Sequence, residues 1–241
     1  MRLRVPHQSR GPGGGGGAGA VRAADRRGHR LPVRRPFLSK DRTAQALAWL
    51  SGSPLYSGTV AALTARAAGR LGEFARHVRE QIAASGAAGP GDAGFRVEGR
   101  LAWVHCARTG NNTLLMAHAK RGRQAMEAMG ILPRATGVAV HDAWAPYDSY
   151  ADPGHQLRDR QHDYLRFTSD FRAPPDNNGT ERDIRLAKPK QNVSGCLRTM
   201  TGARQFRATR TYLCTAAQHG PGSFDALVML TEGEPWMPAA A

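Results

Sequence analysis

Between Phe95 and His118 the chain alternates short apolar runs with tight-turn signals, and this alternation constrains the fold more than any other feature. Phe95 and Val97 lead into Glu98-Gly99, and Leu101-Ala102-Trp103-Val104-His105 follows. Thr109-Gly110-Asn111-Asn112 is a second turn, and Thr113-Leu114-Leu115-Met116-Ala117-His118 comes after it. Turn residues between β-prone runs close hairpins, so three consecutive antiparallel strands are predicted. A helix is expected over Arg123 to Met129. Beyond Pro133, Gly137-Val138-Ala139-Val140-His141 is short, apolar and β-branched, the composition of a buried central strand. Asp142 stands at its C-terminal end, where open α/β sheets place their ligands.

Three antiparallel strands, a helix and a strand ending in aspartate is the order of an α/β, ribonuclease-H-like core. In that fold, carboxylates from the first strand, the fourth strand and a later helix meet at one edge. They hold two divalent ions that activate an attacking oxygen and stabilise the leaving oxygen of a phosphodiester. The fourth-strand acid is Asp142 and the later-helix acid is Glu181. The first-strand acid has to be Asp92, just before Phe95.

Pro175 to Lys190 carries the helix that would supply Glu181. Asp176-Asn177-Asn178-Gly179 are turn residues. Thr180 followed by Asp183 has the spacing of a capping box, so a helix is expected to begin there. Glu181 then falls in the first turn, where free amides and the helix dipole favour a carboxylate. Arg182, Arg185 and Lys188 recur every third residue and, with Lys190, form a basic stripe suited to a phosphate backbone. The same pattern also describes a capped helix with a solvated outer face.

The chain has 241 residues and a formal charge of +15, which favours a polyanionic partner, most simply nucleic acid. The charge is uneven: residues 1–40 hold ten Lys/Arg against Asp25 alone. With Gly11 to Gly19 nearly all glycine, residues 1–40 read as a disordered basic leader that buries too little apolar surface to fold. Ala44 to Leu50 is a short helical pattern. Ser57 or Thr59 can cap a longer helix over Val60 to Ala84, with Leu63, Leu71, Phe74, Val78 and Ile82 on its apolar side. Ser85 to Pro90 reads as a loop. Lys120, Arg121 and Arg123 read as a solvent-facing helix start, and Trp103, Trp144 and Trp236 as packing residues. Cys106, Cys196 and Cys214 are widely spaced, which argues against a disulfide framework or a zinc site. No apolar run reaches membrane-spanning length and no secretory signal is evident, so a cytoplasmic location is expected.

Several long segments resemble the IS66 family of transposases. Gly137-Val-Ala-Val-His-Asp-Ala-Trp-Ala-Pro-Tyr147 is similar to the segment around that family's second catalytic aspartate. Asp176-Asn-Asn-Gly-Thr-Glu-Arg-Asp-Ile-Arg185 is similar to the segment around its catalytic glutamate. Ser194 to Ala203, Thr211 to Ala216 and Glu232 to Trp236 continue the likeness, as does Leu63 to Val104. The resemblance implies a DDE-type enzyme that cuts transposon ends and joins the freed 3′-hydroxyl to target DNA. It implies Mg²⁺ or Mn²⁺ held by Asp92, Asp142 and Glu181, DNA as partner, a homo-oligomer and association with the bacterial nucleoid. It also implies a helical segment over 41–90, a catalytic core over 91–205 and a helical tail over 206–241.

Two departures stand against that pattern. The family places its first aspartate three positions before the glycine of Gly94-Phe95-Arg96-Val97. Position 91 is glycine here, and Asp92 comes one residue later. A one-residue slip turns a strand side chain to the other face, so Asp92 serves as a ligand only if the backbone adjusts. The family's long helical insertion between the second aspartate and the glutamate is also missing, with a junction near 151–157. The alternative to a transposase enzyme is therefore a DNA-binding remnant that does not cut.

Overall fold

The computed structural model describes residues 38–141, 144–150, 177–185 and 197–239. They fall within one compact unit, Phe37–Ala241. Residues 1–37 of the predicted leader, the junction near 151–157, Asp142, Lys188, Lys190 and Cys196 lie outside the described residues, while Ser39 and Lys40, counted in the leader from sequence, cap and open the first helix.

The architecture is mixed α/β. A sheet of four strands runs β1 (Ala87–Val97), β2 (Arg100–Arg108), β3 (Thr113–His118) and β4 (Val138–Ala139). Its order is β3-β2-β1-β4, with β1 antiparallel to β2, β2 antiparallel to β3, and β4 parallel to β1. Glu98 and Gly99 both take positive φ (51° and 77°), the conformation a two-residue hairpin needs. Ser85 to Pro90 was expected to be a loop, yet β1 starts at Ala87. Val140 N–H donates to Ala88 O, so Pro90, two residues on, turns its ring nitrogen toward the same edge. β4 pairs with Ala87 and Ala88 and goes no further, so the missing proline N–H costs no ladder bond.

Seven α-helices are present among the described residues. Helix α1 (Lys40–Ser51) is capped by Ser39 Oγ, which accepts from Arg42 N–H, and stops at Gly52 with φ 68°. The single helix expected over Val60 to Ala84 is two, α2 (Ser57–Gly69) and α3 (Gly72–Ala83). Gly69 and Gly72 weaken the helix at the break. Leu71 turns into the core, and Arg70 Nη1 donates to the carbonyls of Leu230 and Thr231. Those carbonyls belong to α7 (Ser223–Glu232), whose last turn has no helical partners of its own. Helix α4 (Arg123–Met129) has the expected bounds. Helix α5 is Asn178–Arg185 and α6 is Met200–His219.

Strand alternation divides the apolar core in two. Phe95, Ala102, Val104, Cys106, Leu115 and Ala117 pack with Ile184 of α5 and Ala203 of α6 on one face. Ala88, Ala107 and Leu114 point to the other, with Phe74, Val78 and Ile82 of α3 and Met129 of α4. Helix α6 seals the β3 edge. Leu115 N–H donates to Thr211 Oγ1 (2.9 Å) and Thr113 N–H to Thr215 Oγ1 (3.2 Å). Each hydroxyl donates back to the carbonyl of the same residue. The match is geometric: four residues of helix advance about 6 Å, close to the repeat of two strand residues. An exposed edge would otherwise offer free ladder groups to other chains.

Replacing Thr211 or Thr215 by Val keeps the shape and strips one N–H and one C=O of their partners. Each change should destabilise the fold by about 1–3 kcal/mol in urea melts, and Thr→Ser should recover most of it.

Candidate functional site

Asp92 sits inside regular β1, paired with His105, between Gly91 opposite Cys106 and Ala93 opposite Val104. The register runs through without a bulge, so no backbone adjustment restores a one-residue offset. Position 91 faces α5: a Cβ on Gly91 would stand 3.0 Å from Thr180 Cγ2 and 3.2 Å from Ile184 Cδ1. Asp92 points the other way. Its Oδ1 accepts from Arg121 Nε at 2.8 Å, and its side chain is 4% exposed.

Arg121 is the residue that the sequence reading missed. It keeps the exposure expected of it, its side chain 36% accessible, yet it precedes α4 and folds back over the sheet. Its guanidinium lies 3.7 Å from the Trp144 ring centroid and 4.8 Å from that of Trp103. One cation therefore ties β1, β2 and the segment after β4 through a buried carboxylate and two indole faces. His105 lies directly across the ladder from Asp92 and bonds Lys120 O through Nε2. Burial pushes the His105 imidazole below its ordinary value, more than the Lys120 carbonyl and Asp92 raise it.

Glu181 is on the opposite side of the sheet. It lies in the first turn of α5, exposed, with Oε2 accepting from Arg185 Nη2 at 2.6 Å. The expected capping box is not what starts this helix. Helix α5 begins at Asn178, and Thr180 Oγ1 instead donates to Gly89 O. Asp183 turns inward, where Oδ2 accepts from Arg108 Nη1 (2.9 Å) and Thr113 Oγ1 (3.1 Å). These bonds hold α5 against β1 and β2 and leave Arg182 and Arg185 outside, both exposed. The structure thus joins Asp92 to Arg121 and Glu181 to Arg185, and does not bring Asp92 and Glu181 together.

His141 stacks on Tyr147, with ring centroids 4.4 Å apart. Arg207 of α6 is buried, its guanidinium 5.1 Å above Phe95, and burial lowers its pKa to about 10. Among the described residues, no group of three or more His, Cys, Asp or Glu is arranged to hold a metal ion. Nor is any described helix long and apolar enough to cross a membrane.

The Transposase IS66 family model matches residues 36–159 and 154–205, and the chain belongs to that family. No curated protein and no solved structure gives a match.

Arg121→Ala leaves the Asp92 carboxylate buried without a counter-charge and removes both indole contacts. It should cost about 2–4 kcal/mol of stability in chemical denaturation. Adding Asp92→Asn should recover part of that loss, because the stranded charge is gone.

Proposed function

We propose that this chain is an IS66-type transposase by descent that holds DNA without cutting it. The observation that carries this reading is the placement of Asp92. By family resemblance the metal centre needs a first-strand aspartate, Asp142 and Glu181. The family position for the first of these is 91, which is glycine here and is closed over by Thr180 and Ile184. Asp92 lies on the other face, neutralised by Arg121. The described residues do not fit a centre of three shared carboxylates for Mg²⁺ or Mn²⁺.

The strand order β3-β2-β1-β4, with β4 parallel to β1, supports a ribonuclease-H-like core. The two matched stretches meet at 154–159, which supports the loss of an insertion there. The transposase family implies DNA as the partner. The outer face of α5 offers Arg182, and Arg185 if it exchanges Glu181 for a phosphate, to the DNA backbone, and Lys188 and Lys190 follow in the sequence. Contacts of this kind position a duplex without reading its sequence.

The test uses labelled duplex carrying the matching transposon ends, with Mg²⁺ or Mn²⁺, and an Asp142→Ala control. The protein is expected to bind, with affinity falling steeply as salt rises, and to leave the strands intact. Arg182→Ala and Arg185→Ala should each lower the log-log salt slope by about 1. Metal-dependent cutting that disappears in Asp142→Ala would overturn the proposal and restore a live active site.

A further inference from the structure

Among the described residues, the sheet face that carries Asp92 is covered at one end and less covered at the other. Met129 of α4 and Ile131 pack at the Ala88, Ala107 and Leu114 end. Toward the β1–β2 hairpin, Leu101 and Trp103 belong to neither apolar cluster, and Leu101 is 56% exposed. Both lean across Gly94: a Cβ there would stand 3.2 Å from Leu101 Cδ1 and 3.8 Å from the Trp103 ring. Glycine at this position keeps the floor low. Arg96, opposite Leu101 in the ladder, is exposed and donates to Gly99 O, Lys120 is exposed just past β3, and Arg121 lies over one side of the Trp103 ring. Of the carboxylates nearby, Asp92 is held by Arg121 and Glu98 sits out at the hairpin turn.

We propose that this less covered end of the sheet docks a single DNA strand with unpaired bases, stacked on Trp103 and Leu101 and held along its phosphates by Arg96 and Lys120. The occupant follows from chemistry. An aromatic and apolar floor takes the flat face of any base, and flanking cations take the backbone. A paired duplex buries its base faces and cannot use this floor. The site is separate from the α5 stripe, on the other side of the sheet, and the proposal rests on the DNA-binding reading above.

The full chain is titrated, in separate arms, with a labelled oligothymidine strand and with a labelled duplex. The variants are Trp103→Ala and Leu101→Asp, each checked for a cooperative melt. Leu101 is largely exposed, so its variant keeps the fold even where the indole loss weakens the Arg121 stack. Single-strand affinity should fall about tenfold or more in both variants, with duplex affinity unchanged. Unchanged single-strand affinity in both overturns the docking surface while duplex binding stands. An equal loss for duplex also overturns it, as the mark of a general phosphate surface. If the unaltered chain binds neither DNA, this inference and the wider reading both fail.

Discussion

The structure turns on Thr113, where the sheet edge and two helices meet. Its backbone N–H and C=O are both taken by the Thr215 hydroxyl of α6. Its own hydroxyl donates to Asp183 of α5 and accepts from Gln218 Nε2 of α6. Asp183 in turn holds Arg108 from β2. These groups are buried or half-buried, so losing any one strands its partners in a low-dielectric interior. The network closes the β3 edge and fixes which face of β1 the helix α5 covers.

From that fixed geometry the functional consequence follows by alternation. With α5 locked on the face of Gly89 and Gly91, an even-numbered residue of β1 cannot reach Glu181, and Asp92 is even-numbered. The strand has no bulge to absorb the offset, and Arg121 supplies a favourable partner where Asp92 does point. A single position in the register therefore decides whether the family's acids converge. Thr180 and Ile184 also crowd this position, and each would have to give by a few tenths of an ångström to admit a side chain at 91.

Much of the sheet was legible because turn chemistry is local. Glu98-Gly99 and the Thr109 to Asn112 turn mark β1 to β3, and α4 has the bounds its pattern predicts. The failures are non-local. Ala87 to Pro90 reads as a loop, and it is strand because β2 and β4 pair with it and Thr180 and Asn177 donate to its carbonyls. The break between α2 and α3 depends on Arg70 reaching carbonyls 160 residues away. Thr180 and Asp183 have capping-box spacing, yet a sheet carbonyl and Arg108 compete successfully for their side chains. Arg121 sits in a basic run that looks solvated until Asp92, Trp103 and Trp144 are brought beside it. Sequence marked Asp92 as one residue out of place; the uninterrupted β1 register shows which face that puts it on.

On this geometry Asp92 and Glu181 do not share a metal ion. Manganese titration followed by electron paramagnetic resonance tests it on the full chain, comparing Asp92→Asn and Glu181→Gln with the unaltered protein. Asp92→Asn should leave the bound-manganese signal unchanged. Loss of the same tightly bound ions in both variants would contradict it and place the two carboxylates in one centre.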